Sequence, residues 1–516
     1  MLTKHRPLKY IVLCSVALTG VVLRIYETSL LGAGISSDSV NYIATARSLL
    51  LGEGFVSFGG RPFVHWPPLF PSSLALLGLT GIDPAEGARY FNATVFGLLL
   101  LVSGLYLFET LRSTVLAFLG SILFLVAAPL SLVSVYAWSE PLFLLFVLLF
   151  LRQIARTIND PAMGSLLLTA AFAALGLLTR HVGITLVGVG LLLLISQPGR
   201  SAIAKIRRCV IFSVVSLVPF IAWIFRTWLV AGTIAGGWAP ASATLPENFR
   251  QSTETILSWI LPIWRLTPML GFCVLTACLL AITGVLVISW RKSRRGEPEL
   301  DVTRAIPHAL FSLVYVVFLI LSASTVSVDG LGDRLMSPIY VSMWFLALLA
   351  LDRIFILVSA RQSVARAAQL VVIVGFSVWL IAYPARYAKW ELDQRHESGA
   401  GGYATQKWWD DQLVTRLRAQ PLRGVVYSNA PDALYFLTGI AGRLSPRARP
   451  YASESNITEE QVGRAKRTLA EAEVVYLVWF NRMHRNYLLS ESQLSKYFEM
   501  RSILRTSDGT IYRVLR

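Results

Sequence analysis

The sequence predicts a polytopic α-helical membrane protein of about eleven spans, followed by a small α/β domain at the carboxyl end. Three observations predict it. Of 516 residues, 55% are hydrophobic and only 15% charged, too few charges to cover a soluble body of this length. The apolar residues come in blocks close to the ~20 that cross a hydrocarbon core of ~30 Å. From Ala385 onward the composition changes, and 20 basic and 14 acidic residues fall in that stretch.

In chain order the spans read as 10–31, 91–110, 114–134, 141–156, 164–179, 183–196, 209–230, 266–289, 306–324, 337–351 and 368–384. Met1 to Lys9 is basic, and the run from Tyr10 to Leu31 is long enough to stay as an anchor rather than act as a cleaved signal. The pair flanking Arg180 is short and its turn tight. Residues 1–384 thus form the transmembrane module and 385–516 the soluble domain.

Net charge is +17, and of the 27 Lys and Arg before Pro384, 18 fall in segments placed inside. These are Lys4, Arg6 and Lys9, then Arg112, Arg152 with Arg156, Arg200 to Arg208, Arg291 to Arg304 and Arg353 to Arg366. This is the positive-inside bias. It puts the amino terminus in the cytoplasm and the carboxyl-terminal domain outside. Charge so distributed argues against a nucleic-acid partner and for contact with anionic membrane lipids. All four cysteines, Cys14, Cys209, Cys273 and Cys278, lie in or beside spans, so neither a disulfide framework nor a thiolate metal site is indicated.

Two outer segments are long, Gly32 to Tyr90 and Ala231 to Trp264, and long loops on a rigid bundle are where binding and chemistry gather. In the first, Val40, Ile43, Ala44, Leu50 and Leu51 share one face at helical spacing, which predicts an amphipathic helix lying on the membrane surface. Asp38 opens it, either as a helix cap or as a catalytic carboxylate. Glu140 stands at the outer end of the fourth span. It is either a second active-site acid, since a carboxylate there needs a cavity or a partner, or a helix-start residue complementing the dipole. Asp329 and Asp333 flank Gly330 to Gly332 as turn formers or ligands. In the tail, Gly424 to Ser428 reads as a strand, Pro431 to Thr438 and Thr458 to Glu473 as helices, and Val474 to Phe480 as a strand. A hairpin turning at Asp508-Gly509 closes the chain.

A family resemblance adds to this. An Asp just after the first span (Asp38), then Tyr42, Ala44, Arg47 and Gly52, resembles the first loop of GT-C membrane glycosyltransferases. The likeness is to the family 39 group, which holds the protein O-mannosyltransferases and the bacterial aminoarabinose transferases. His65-Trp66-Pro67-Pro68-Leu69 looks like that group's aromatic/basic-Pro-Pro-Leu motif. Partial matches follow in order at Ser139-Glu140-Pro141-Leu142-Phe143, Leu178-Thr179-Arg180, Gly332-Asp333-Arg334-Leu335-Met336-Ser337-Pro338 and Tyr427 to Gly439.

The resemblance implies transfer of a sugar from a polyprenyl-phosphate donor to a glycan, lipid or protein acceptor at the outer face of the cell (inner) membrane. By it, Asp38 is the general base and the reaction inverts the anomeric carbon. Arg334, then Arg180, then His65 are the candidates for holding the donor phosphate. The bland alternatives are a headgroup anchor for Arg180 and a surface histidine for His65. Tyr42 and Trp66 stack on a sugar ring, or serve as interface aromatics. Without HExxH or paired Cys/His spacing a dedicated zinc site is not indicated, while the resemblance admits a divalent metal ion shared by Asp38 and Glu140. Two positions depart from the pattern: Ser39 stands where many relatives have a second acid, and His65-Trp66 where the aminoarabinose enzymes have Lys. The rival class is a transporter or flippase of a lipid-linked or small polar substrate, which would show inverted repeats and polar groups at mid-membrane.

Overall fold

The computed structural model describes residues 6–515 apart from 161, 198, 235, 238–239, 262–267, 294–301, 359–361 and 449–456. Lys4, Arg294, Arg295, Arg361 and the first two residues of the 266–289 span lie outside the described residues.

The membrane part is helical throughout. Its elements are α1 (Arg6–Glu27), α2 (Ser37–Leu50), α3 (Leu69–Gly78), α4 (Pro84–Thr110), α5 (Thr114–Leu125), α6 (Ala128–Val135), α7 (Glu140–Thr157), α8 (Met163–Thr179) and α9 (Ile184–Ile195). They continue with α10 (Ala202–Ala231), α11 (Leu245–Ser258), α12 (Pro268–Ser293), α13 (Ala305–Ala323), α14 (Asp333–Val358) and α15 (Gln362–Leu380). Among the described residues, seven helices are long and apolar enough to cross a membrane, eight if the bent pair α5 and α6 is one span. Helix α8 and the segment 181–195, which includes α9, are shorter apolar helices, and α7, of 18 residues, carries Glu140, Arg152 and Arg156.

Local sequence explains the breaks. The 114–134 span divides at Ala127, where Pro129 enters the next helix near its start, and the two pieces meet at 43°. Asp83 caps α4 by accepting the Ala85 amide at 2.9 Å, with Pro84 at the first helical position. The turn between α8 and α9 is tight because Gly183 packs on the end of α8. A Cβ there would fall 2.6 Å from the backbone of Gly176 and Leu177.

One end of the bundle is basic. Glu109 at the end of α4 takes Arg152 and Arg156 of α7 at 2.5 and 3.3 Å. Arg304 donates to the Glu109 carbonyl at 2.7 Å, and Arg208 to the Thr157 carbonyl at 3.2 Å. Asp352 accepts the amides of Arg112 and Ser113, capping α5 from α14.

At the other end the chain continues from α15 through a π-helical turn, residues 381–385, into α16 (Arg386–Ser398). The aromatic segment opening the tail is therefore helical. Short helices α17 (Gln406–Trp409), α18 (Gln412–Ala419) and α19 (Pro431–Thr438) follow, interleaved with a sheet, then α20 (Ile457–Glu471) and α21 (Glu491–Leu494). The strands are β1 (Val425–Ser428), β2 (Gly442–Leu444), β3 (Val475–Phe480), β4 (Met500–Arg505) and β5 (Gly509–Val514), in the order β2-β1-β3-β5-β4. β1 lies parallel to β2 and β3, while β5 pairs antiparallel with β3 and β4. Helix α19 packs on α2, with Phe58 stacked on Tyr435 at 5.7 Å, so the tail sits over the first loop.

Candidate functional site

Three extended segments meet where the tail covers the bundle. Gly34 donates its amide to the Val135 carbonyl and accepts from Ala137, both at 2.9 Å. Ile35 donates to the Gly401 carbonyl at 3.2 Å and accepts from Tyr403 at 2.8 Å. The close approach requires glycine: Gly402 has φ +59°, and a Cβ on it would lie 1.9 Å from the Ile35 oxygen. These bonds fix the start of α2 against the start of α7.

Helix α2 is capped by Ser36, not Asp38. Ser36 and Ser39 form a reciprocal capping box, the Ser36 amide donating to Ser39 Oγ at 3.1 Å. Ser39 thus serves the cap, and Asp38 is released from it. The Trp138 indole donates to Ser36 Oγ at 2.7 Å, and Asn92 of α4 donates to the carbonyls of Tyr136 and Trp138 at 2.6 and 3.0 Å. The segment preceding Glu140 is therefore held on both sides.

Arg334, at the start of α14, reaches across this junction. Its Nη2 lies 2.5 Å from Asp38 Oδ2, its Nε 2.6 Å from Glu140 Oε1 and its Nη1 2.7 Å from Asp329 Oδ2. The guanidinium carbon sits 4.0 Å from the Trp138 ring centroid, a cation–π contact. Arg180 Nη1, from the α8–α9 turn, meets the same Glu140 oxygen at 2.6 Å and donates to Ser139 Oγ at 3.2 Å. The Glu140 side chain is 1% exposed, and its Oε2 is buried with no hydrogen-bond partner. Asp38 keeps 26% exposure, so it lies at the rim. Two guanidinium groups thus face three carboxylates.

Asp38, Glu140, Arg180 and Arg334, scattered over almost 300 residues of sequence, come together. The other candidates sit around them. Tyr42, expected to stack on a ligand, is 1% exposed, its ring enclosed by Phe63, Trp66 and Phe70 at 6.2, 5.7 and 5.1 Å. Burial first, and the nearby Asp38 carboxylate second, hold its phenol well above the ordinary value, and its oxygen lies 3.4 Å from Ser139 Oγ. Trp66 is half-buried at the edge of this cluster. His65 lies against Trp66 at 5.4 Å between centroids and beside Gly236, within electrostatic reach of His181. Asp333 accepts the Trp259 indole N–H at 2.7 Å, a structural tie.

A divalent ion shared by Asp38 and Glu140 does not fit this arrangement, because the Arg334 guanidinium stands between the two carboxylates. Among the described residues no group of three or more His, Cys, Asp or Glu side chains gathers to hold a metal. Two contributors escaped the sequence reading. Trp138 was signalled only by an aromatic residue two places ahead of a helix-starting acid. Arg226 of α10 donates to the carbonyls of Phe63 and Phe55 at 2.6 and 3.1 Å, clamping the first loop, and it resembles any headgroup-anchoring arginine in sequence.

No protein-family model and no curated protein matches the chain. Among solved structures it is similar to ArnT from Cupriavidus metallidurans in the apo state. The TM-score is 0.61 at 15% identity, over 98% of this chain and 97% of that one. The same protein bound to undecaprenyl phosphate gives a TM-score of 0.60 at 15% identity with the same coverage. The arabinofuranosyltransferase AftD from Mycobacteria gives 0.50 at 14% identity, over 98% of this chain and 41% of AftD. At such identities what is shared is architecture, and over nearly its whole length this chain has the fold of ArnT.

Proposed function

We propose that the protein transfers a sugar from a polyprenyl-phosphate donor to an acceptor hydroxyl, with inversion, at the non-cytoplasmic membrane face. One observation carries the reading: Arg334 joins Asp38 to Glu140 and, through Glu140, to Arg180, at the helix ends beneath the tail. ArnT, whose fold it shares, has a structure bound to undecaprenyl phosphate, and a lipid phosphate of that kind suits two neighbouring guanidinium groups at the helix ends.

The charge balance suggests how the residues act. With Asp38 paired to Arg334 at 2.5 Å, its Oδ2 is taken up by the guanidinium. A donor phosphate competes for the Arg334 fork, and as Arg334 turns to it, Asp38 is freed. Asp38 then takes the proton of the acceptor hydroxyl while that oxygen forms its bond to the anomeric carbon. The bond from that carbon to the phosphate oxygen breaks on the opposite side, and the electron pair leaves with the phosphate. Arg334 and Arg180 meet the charge that develops there. Glu140 anchors both arginines from its buried position. Trp66 is the aromatic left to face the sugar, Tyr42 being enclosed, and His65 lies outside the central cluster as a subsidiary phosphate group.

The basic end of the bundle is assigned to the cytoplasm by the positive-inside rule, and residues 385–516 to the opposite face. The transporter alternative needs polar groups midway along the spans. The site instead gathers the starts of α2, α7 and α14 and the end of α8. The test is transfer of radiolabelled sugar from a polyprenyl-phospho-sugar in membranes carrying the protein. Transfer unchanged by Asp38→Asn removes the mechanism.

A further inference from the structure

A second cavity lies in the tail. It is an open cleft of about 740 Å³ between α17, the turn after β3 and the β4–β5 hairpin, within the ~300–1,000 Å³ of ligand sites. Its walls include Thr405, Lys407, Trp408, Asn481, Arg482 and Asp508. We propose that this cleft binds a carbohydrate chain and is the acceptor subsite of the transferase, an inference that rests on the transfer reading above.

Three features support a polyhydroxylated ligand. First, the wall is preorganised. Arg482 donates to the Lys407 carbonyl, pairs with Asp508 at 2.5 Å and Asp411 at 3.4 Å, and lies 5.3 Å from the Trp408 ring centroid. Asp508 in turn accepts the Gln412 amide at 3.0 Å, and Asn481 Nδ2 donates to the Ser507 carbonyl at 3.0 Å. Second, both signs of charge and a primary amide face one space, offering donors and acceptors together. Vicinal hydroxyls need that mixture, whereas a phosphate would be repelled by Asp508 and the neighbouring Asp410. Third, the cleft is wired to the base. Gly402 forms part of its lining, and Gly401 and Tyr403 on either side hold the backbone of Ile35, three residues ahead of Asp38. The backbone that lines the cleft is thus the backbone that holds the start of α2.

The experiment uses the full-length protein in nanodiscs. Fluorescently labelled oligosaccharides of two to four residues, neutral and uronate-bearing, and a Ser/Thr-rich peptide are titrated by fluorescence polarisation. The expected result is saturable binding of at least one oligosaccharide, weakened tenfold or more by Lys407→Glu and by Asn481→Ala, and lost when Thr405→Trp fills the cleft. Lys407 is exposed, so its variant keeps the test valid if Thr405→Trp fails to fold. Binding of the peptide in place of sugars, no oligosaccharide binding, or binding unmoved by Lys407→Glu and Asn481→Ala overturns the proposal. Polyprenyl phosphate release from a labelled donor is followed in parallel. Oligosaccharide binding without any release removes the transfer reading and with it the acceptor role, leaving a carbohydrate-binding cleft, and release without cleft-dependent binding removes this inference alone.

Discussion

Replacing Arg334 with lysine keeps the charge and removes the fork, and the structure says what is lost. The guanidinium uses three nitrogens on three carboxylates at 2.5, 2.6 and 2.7 Å. An ammonium on a shorter stem is a point charge and cannot span them. The Asp329 contact is of little weight, because that side chain is 68% exposed. The Glu140 contact matters more, since its carboxylate is 1% exposed and would be left to Arg180 alone. Losing a charge-assisted hydrogen bond of this kind costs roughly 1.5–3 kcal/mol. If the same fork neutralises the departing phosphate, removing it lowers kcat by about 10²–10³, as loss of one aligned donor to a developing anion does. Initial rates of sugar transfer in proteoliposomes, with thermal unfolding of the same preparations, measure both. A lysine variant with kcat within threefold of the parent refutes the bidentate role. A lowered Tm with unchanged kcat/KM shows instead that Arg334 is only a structural clamp.

Asp38→Asn should lower transfer by about 10²–10⁴, the range for a general base, with Tm changed little because Ser36 caps the helix; a Tm drop matching the activity loss counts against catalysis. Arg226→Ala should free the Phe55 and Phe63 carbonyls that it holds, raising KM for the donor several-fold with kcat nearly kept, as steady-state kinetics would show. In the tail, Asp432 is 1% exposed and takes Arg485 through both oxygens at 2.7 and 2.8 Å and the Tyr403 hydroxyl at 2.8 Å. Breaking such a buried pair costs about 3–5 kcal/mol, so Asp432→Asn should lower Tm clearly in a thermal melt, and an unchanged melt contradicts that tie.

Much of the architecture was legible because apolar run length and basic loops are one-dimensional signals. The strands at 424–428 and 474–480 and the closing hairpin read correctly for the same reason, as short β-branched runs bounded by turn residues. The break within 114–134 was less visible: the run stays apolar through Ala127 and Ala128, and only Pro129 marks it. At the site, sequence supplied residue types but not partners. Asp38 and Arg334 are 296 positions apart, and the Gly332 to Pro338 segment that singles out Arg334 does not say which carboxylates it meets. Tyr42 misled because an aromatic in an interfacial helix has the same signature whether it faces a ligand or three other rings. The Ser36–Ser39 box could have been read from spacing, which would have released Asp38 from the capping role.

The hydrogen bonds between Ile35 and residues 401–403 have a consequence for how this protein is divided. They tie the segment leading into α2 to chain that comes more than 350 residues later. A truncated chain stopping near residue 385 would strand a buried amide and carbonyl beside Asp38, and the aspartate would lose its fixed bearing on Arg334. The segment after the last span is therefore not an appendage that tunes a self-sufficient membrane engine; it completes the scaffold on which the acid is mounted.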